Sequence, residues 1–238
     1  MLRAWRRLVA GGAIALQSRR SLRTACDQWR TLQVAAAAGI AVPPTRLVRH
    51  PRDLDAALRA VGGAAWYLKG RRGSQGTHVE RATTTAAAHS IGHRFWGSGQ
   101  AFLVQADRSG SGPVERHLVA GGTLLASALA LPRQGEHRSN AHRGGRFLPL
   151  AAGAGHAARL AVRAAAAVEL PFAAVDAIGG ERPELLEVNA SPGLEAIERA
   201  TGRDLAGELL DRVLEPLFGP LRAQRRDEPH ANTASERP

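Results

Sequence analysis

The chain has 238 residues, 44% of them hydrophobic, and a formal net charge of +11 at pH 7. This length and apolar content suffice for a sizeable core in one or two domains, while no apolar run reaches the roughly 18 residues of a membrane helix. The single cysteine, Cys26, excludes an internal disulfide, so we expect a cytoplasmic protein with no membrane partner.

The N-terminal half is predicted to alternate helices with strands. Apolar residues at helical spacing, followed by glycine, predict helices, and short apolar runs rich in β-favouring residues predict strands. The predicted helices cover 22–38, ending at Gly39, and 51–63; the predicted strands cover 65–70, 77–82 and 101–106. The loop RRGSQG, which carries two glycines, joins the first two of these strands.

The C-terminal half is predicted to consist of two hairpins with a long helix between them. The first hairpin covers 116–131 and turns at Gly121 and Gly122, and the helix covers 154–170. The second hairpin joins strand-like runs at 172–178 and 184–190 through a glycine- and proline-bearing turn.

The second hairpin is predicted to bring two carboxylates and an amide to one face. Strand side chains alternate, so Glu187 and Asn189 share a face, and the turn sets Asp176 roughly opposite Glu187. Two carboxylates this close repel each other unless a cation or a proton lies between them. Mg²⁺ prefers a few carboxylate oxygens, with water and substrate phosphates completing its shell. We therefore expect a nucleotide-bound metal here; a solvated strand face is the alternative.

Basic residues dominate the charge, yet only one of them is a lysine, Lys69. Arginine fills the remaining positions among the 32 basic residues, so the retained lysine suggests chemistry that a planar guanidinium cannot replace, with chance retention as the alternative. The charge is compatible with an acidic partner such as nucleic acid or nucleotide phosphates. Aromatic residues make up only 4% of the chain, too few for a base-stacking surface, so nucleic acid is not expected to be the primary ligand.

Several of these motifs together resemble the RimK-type α-L-glutamate ligases of the ATP-grasp superfamily. The blocks HRSNAHRGG and EVNASPGLE are the most specific pair, and LKGRRGSQG, FLVQ and VDAI extend the resemblance from about Gly12 to Leu210. The resemblance implies an α+β ATP-grasp fold, in which two α+β subdomains clasp a nucleotide and the family's first (pre-ATP-grasp) domain is largely absent. It places a remnant of that domain at 1–20 and the ATP-grasp domain at 21–218; the polar, charged tail 219–238 is expected to be disordered.

The resemblance implies ATP as a cofactor. Lys69 corresponds to a lysine on the phosphates, residues 73–76 to a loop that closes over them, and the hinge at Gln105 faces adenine. Glu115 falls near the ribose if the alignment carries a one-residue deletion; otherwise that position is Val114. The implied ATP contacts are Lys69, Gly73, Ser74, Gln75, Gly76, Gln105, Ala106, Glu115, Arg138, Ser139 and Asn140.

The resemblance assigns the chemistry to two further groups. Arg138 and Asn140 correspond to catalytic residues between the nucleotide and the acyl acceptor. Asp176, Glu187 and Asn189 correspond to ligands of Mg²⁺ or Mn²⁺, in agreement with the predicted hairpin.

The implied activity is that of an ATP- and Mg²⁺-dependent carboxylate–amine ligase. Such an enzyme phosphorylates a carboxylate, and an amine then attacks the acylphosphate to form an amide. The resemblance implies L-glutamate or a similar amino acid as one partner, and as the other a carboxylate-bearing acceptor, either a protein tail or a small molecule. It is also compatible with a homo-oligomer.

Two departures from the family pattern motivate an alternative function. Gln28 stands where the family has a second lysine that contacts ATP, and Ala106 replaces an acidic hinge residue. The alternative is a catalytically silent ATP-grasp module that binds a nucleotide or an acidic partner. The complete predicted metal set argues for the enzyme.

Overall fold

Two antiparallel sheets and the helices packed on them form the part of the chain that the structure describes. The computed structural model describes residues 9–13, 15–72, 79–131, 146–151 and 155–214. Helices span α1 (Arg19–Ala25), α2 (Gln28–Ala37), α3 (Leu54–Val61), α4 (Thr85–Gly97), α5 (His156–Ala167), α6 (Glu195–Thr201) and α7 (205–214), and Pro51–Asp53 form a 3₁₀ turn. The predicted tail at 219–238 lies outside the described residues.

The first sheet has four strands, in the order β1-β4-β2-β3. Its strands are β1 (Thr45–Val48), β2 (Trp66–Gly70), β3 (Val79–Ala82) and β4 (Phe102–Ala106). One face buries Val48, Leu68 and Phe102 against α3 and α4. Because strand side chains alternate, the opposite face carries the neighbours of these residues, among them Lys69 and Leu103.

The second sheet has five strands, in the order β7-β6-β5-β8-β9. Its strands are β5 (Val114–Ala120), β6 (Thr123–Leu131), β7 (Arg146–Leu150), β8 (Phe172–Ile178) and β9 (Glu184–Asn189). Alanines of α5 pack on one face with Val119 and Val175, and α6 and α7 pack on the other with Leu118 and Ala174.

The two predicted hairpins are confirmed. β5 and β6 turn at Gly121 and Gly122, whose φ angles of 57° and 74° favour glycine. In the second hairpin Asp176 is the register partner of Glu187, as the sequence predicts. A register irregularity follows between Asp176 and Ala177. The hairpin thus carries both carboxylates at adjacent positions of neighbouring strands.

The single helix predicted at 22–38 is wrong, because the structure divides it at Asp27. The Asp27 side chain is the N-cap of α2 and accepts a hydrogen bond from Arg30 N at 3.2 Å. The guanidinium of Arg71, next to the end of β2, also donates to both Asp27 oxygens, from Nε at 3.0 and 2.9 Å. A buried carboxylate so bound favours a new helix start over continuation of the first helix.

No helix in the described ranges combines the length and the hydropathy needed to span a bilayer.

Replacing Asp27 with Ala is expected to lower the free energy of unfolding by about 2–4 kcal/mol at neutral pH. The loss combines a helix cap, about 1 kcal/mol, with hydrogen bonds to a charged group, about 1.5–3 kcal/mol. Burial opposes ionisation of Asp27, but the bonds from Arg71 and Arg30 outweigh it and hold its pKa below the ordinary value. The stabilisation is therefore present at neutral pH and is lost as the pH falls through the folded-state pKa.

Urea denaturation at pH 7 and at lower pH measures this loss. Asp55→Ala is the matched control, because Asp55 makes an exposed pair with His89 at 2.8 Å, which is worth about 0–1 kcal/mol. Equal losses in the two variants at pH 7 would contradict the role of Asp27.

Candidate active site

Lys69 is the charged group that the first sheet contributes. Its side chain leaves β2 on the face away from α3 and α4, and the residue is only 9% exposed. Its ammonium donates to Gln105 Oε1 at 2.5 Å and lies 5.8 Å from the ring centre of Tyr67. Burial lowers the pKa of Lys69 to about 8, against the opposing influence of Glu187 and Asp176.

Asp176 and Arg116 form the charged pair of the second sheet. Arg116, in the middle of β5, donates to both oxygens of Asp176, from Nε at 2.7 Å and from a terminal nitrogen at 2.6 Å. Its guanidinium also lies 5.3 Å from the ring centre of Phe147. The charge of Asp176 raises the pKa of Arg116. The sequence offered no reason to assign Arg116 a role. In the structure Arg116 on β5 is the register partner of Asp176 on β8.

Glu187 completes the row of charges across β5, β8 and β9. Its side chain keeps access to solvent, yet the surrounding protein removes enough water to raise its pKa, and the charge of Asp176 adds to this effect. Lys69 and Arg116 act in the opposite direction. Desolvation of Glu187 is therefore partial, as expected for a group in an open cleft and not in a closed core.

Lys69 interacts electrostatically with two carboxylates of the other sheet. Lys69 belongs to the first sheet and Asp176 and Glu187 to the second, and the carboxylates favour the charged form of the lysine. Lys69, Asp176 and Glu187 therefore lie within electrostatic reach of one another across the space between the sheets, which we call the cleft. Their roles as phosphate contact and metal ligands stay predictions.

The donor set of this cleft fits a hard divalent cation. Asn189 follows Glu187 by two positions on β9, and its Oδ1 accepts from Ser191 N at 2.9 Å. Among the residues that the structure describes, no cluster of three or more His, Cys, Asp or Glu could hold a metal by itself. Two carboxylates and an amide oxygen are too few for a closed cage, but they suit Mg²⁺ whose shell is completed by phosphate and water.

The structure does not bring Glu115 to this group. One of its carboxylate oxygens lies 3.3 Å from Nε2 of His117, which is 1% exposed. Because Arg116 lies between these two residues in β5, Glu115 and His117 occupy the opposite face from Arg116 and Asp176. Burial raises the pKa of Glu115 and lowers that of His117 to about 4. The predicted ribose contact therefore lacks geometric support, and Val114, on the face of Arg116, offers no carboxylate.

The remaining predicted ATP contacts divide into described and undescribed positions. Gln105 faces the cleft beside Lys69, whereas the side chain of Ala106 belongs to the core of the first sheet, at 7% exposure. The others, Gly73, Ser74, Gln75, Gly76, Arg138, Ser139 and Asn140, lie outside the described residues and stay predictions.

Comparison with known proteins gives a family match over most of the chain. The model of the RimK-like ATP-grasp domain matches residues 25–213. A probable alpha-L-glutamate ligase of Serratia proteamaculans is 37% identical over 204 residues, which are 85% of this chain and 68% of the relative. A ribosomal protein bS6–L-glutamate ligase of Escherichia fergusonii is 36% identical over 201 residues, or 84% of this chain and 67% of the relative.

A solved structure gives the same result for the fold. The crystal structure of a RimK domain ATP-grasp protein from Sphaerobacter thermophilus is 25% identical and superimposes with a TM-score of 0.61, covering 82% of this chain and 69% of that one. The chain thus spans about two thirds of the length of these relatives. Its two antiparallel sheets with a charged cleft between them are those of an ATP-grasp fold, and the chain belongs to the RimK-like ATP-grasp family of ligases.

Proposed function

We propose that the protein is an ATP-dependent carboxylate–amine ligase that binds ATP in the cleft between its two sheets. The observations that carry this proposal are the buried Lys69 ammonium, bound to Gln105 on the first sheet, and the register pair of Asp176 with Glu187 on the second. A buried cation facing two carboxylates is an arrangement that a nucleotide phosphate and a divalent cation can complete together. The family match supports ATP as the nucleotide.

Each charged residue of the cleft has a role in this proposal. Lys69 binds a phosphate oxygen as an ammonium, and Asp176, Glu187 and Asn189 hold Mg²⁺, or Mn²⁺ in its place. Arg116 holds the Asp176 carboxylate in one orientation by donating to both of its oxygens. A divalent cation held by these residues would supply positive charge against the phosphates.

The reaction requires no covalent bond to the protein. A substrate carboxylate oxygen bonds to the terminal phosphorus of ATP, and the bond from that phosphorus to ADP breaks. An amine nitrogen then bonds to the carbonyl carbon of the acylphosphate, phosphate leaves, and the amine loses a proton. Arg138 would steady the charge on the acyl oxygens, Ser139 and Asn140 would lie beside it, and residues 73–76 would close over the phosphates.

L-Glutamate is proposed as the amine substrate, and a protein tail as the acceptor. One relative is named a probable alpha-L-glutamate ligase, and the name of the other, ribosomal protein bS6–L-glutamate ligase, specifies a ribosomal protein. The net charge of +11 favours acidic substrates by long-range attraction. The silent alternative is less well supported, because the relatives of this chain are named as ligases.

ADP release with glutamate and a cell extract, followed by mass spectrometry of the glutamate-labelled product, tests the function. Lys69→Met is expected to reduce ADP release at least 10-fold, since one charged hydrogen bond to phosphate is worth about 1.5–3 kcal/mol. Arg199→Met is the matched control, because it removes a positive charge from an exposed position on α6. No ADP release by the native protein with any extract, although it binds ATP, would favour the silent module.

The pKa of Lys69 predicts how ATP affinity depends on pH. Because burial lowers this pKa to about 8, the ammonium is lost as the pH rises through 8 in the free protein. ATP affinity is therefore expected to fall between pH 7 and pH 9, a range in which an ordinary lysine stays charged. Lys69 is the only lysine, so ¹⁵N-lysine labelling gives a single side-chain signal whose titration can be followed by NMR. A midpoint above pH 10 in the free protein would contradict the prediction, and bound ATP is expected to raise the midpoint.

Glu187→Gln tests the metal ligands without changing the size of the side chain. Without ligand, the variant is expected to be as stable as the native protein or slightly more so, because the repulsion from Asp176 is removed. With Mg²⁺ and ATP, the native protein gains thermal stability by mass action and the variant gains much less. Glu195→Gln, at an exposed glutamate of α6, should keep the full gain. Equal gains in Glu187→Gln and native protein would mean that Glu187 does not hold the metal.

A further inference from the structure

Lys69 is the end of a chain of three hydrogen bonds that crosses the first sheet. The Lys69 ammonium donates to Gln105 Oε1 at 2.5 Å, and Gln105 Nε2 donates to Thr45 Oγ1 at 3.0 Å. The Thr45 hydroxyl donates in turn to the carbonyl oxygen of Pro43 at 2.7 Å. The bonds run from β2 through the central strand β4 to β1, and Thr45 and Gln105 are register partners.

Only one direction of donation satisfies this chain. A carbonyl oxygen can only accept, so the Thr45 hydroxyl must donate to Pro43 and offers its lone pairs to Gln105. The amide of Gln105 must then turn its NH₂ group towards Thr45, which leaves Oε1 towards Lys69. The opposite orientation of the amide would place NH₂ against the ammonium and leave Thr45 without a donor. The ammonium, which can only donate, and the Thr45 hydroxyl therefore require the same orientation of the amide, and Thr45 anchors the end of the amide that lies away from the lysine.

The surroundings hold the anchor of the chain in place. Thr45 is 7% exposed and Gln105 is 1% exposed, so water does not replace either partner. Pro43 is followed by Pro44, which restricts the backbone on both sides of the accepting carbonyl. The carbonyl of Pro44 accepts from Ala106 N at 2.9 Å, which ties this segment to the residue that follows Gln105.

We propose that Thr45 is a positioning residue for the nucleotide site, which acts through Gln105 to hold the Lys69 ammonium at the phosphate position. The proposal rests on the phosphate role given to Lys69 above. A lysine has a flexible four-carbon stem, and an ammonium has three donors, of which Gln105 uses one. One fixed bond thus orients the amine and leaves donors for phosphate oxygens.

The first test observes the free protein and needs no ATP. In protein labelled with ¹⁵N-lysine, the single side-chain ammonium is expected to give a slowly exchanging signal in the native chain at pH 6. Thr45→Val removes the hydroxyl with little change of shape, so the signal is expected to shift and its exchange with water to accelerate. Thr45→Ser restores the hydroxyl and should restore the native signal. An unchanged signal in Thr45→Val would overturn the proposal.

The second test measures ATP affinity by calorimetry in folded protein. Thr45→Val is expected to weaken ATP binding by roughly threefold to tenfold, the worth of one hydrogen bond, and Thr45→Ser to stay within about twofold of the native protein. Thr31→Val is the control for loss of a buried threonine hydroxyl, because Thr31 Oγ1 donates to Thr24 O at 2.8 Å and the residue is 1% exposed. This control should lose stability but keep its ATP affinity and lysine signal.

The outcomes separate the proposal from the function on which it rests. If the lysine signal changes in Thr45→Val but the native protein binds no ATP, the hydrogen-bond chain is supported and the proposed function is contradicted. ATP binding unaffected by Thr45→Val would overturn the positioning role and leave the function standing. If Thr45→Val does not fold, Gln105→Met removes the same link at its centre and is expected to give the same two changes; a native signal and affinity in that variant would overturn the proposal.

Discussion

The burial of one ammonium group, that of Lys69, is the constraint on which the site depends. Removing a cation from water is costly unless hydrogen bonds and opposite charges replace the water. Here Gln105 provides the hydrogen bond from within the sheet, and Asp176 and Glu187 provide the opposite charges from the other sheet. Because the lysine and the carboxylates belong to different sheets, the electrostatic balance of the cleft depends on how the two sheets face each other.

The second sheet balances its own charges only in part. Arg116 neutralises Asp176 with two hydrogen bonds, whereas Glu187 has a raised pKa because water is partly excluded and Asp176 is near. A divalent cation would relieve the repulsion, and a phosphate would then offset the charge of Lys69. A site whose charges are unbalanced without ligands is stabilised when the ligands bind. This is a physical reason for a metal ion and a nucleotide to bind there together.

A second charge pair, between Asp27 and Arg71, connects α2 to the first sheet. Asp27 starts α2 and binds Arg71 next to the end of β2, and Gln28 N donates to the carbonyl of Arg71 at 3.0 Å. These contacts attach α2 to the strand that carries Lys69. Position 28, where the family resemblance places a lysine, thus lies beside an arginine that Asp27 already holds.

Local sequence determined the elements and several of their residues, whereas tertiary structure decided which residues meet. That the hairpin brings Asp176 near Glu187 was predictable from the position of its turn, but their direct pairing depends on the irregularity between Asp176 and Ala177, because the pair Ala177–Leu185 would otherwise be followed by Asp176 opposite Leu186. The bond between Arg71 and Asp27 joins residues 44 positions apart, and that between Arg116 and Asp176 joins residues 60 apart. The two side-chain links from Lys69 through Gln105 to Thr45 join residues 36 and 60 positions apart. Spacing along the chain cannot reveal such contacts, because they arise from strand order and sheet packing. The orientation of Glu115 could not be predicted for a similar reason. Successive residues of β5 point to opposite faces of the sheet, so a shift of one residue decides whether a side chain lies on the face of Asp176 or on the opposite face.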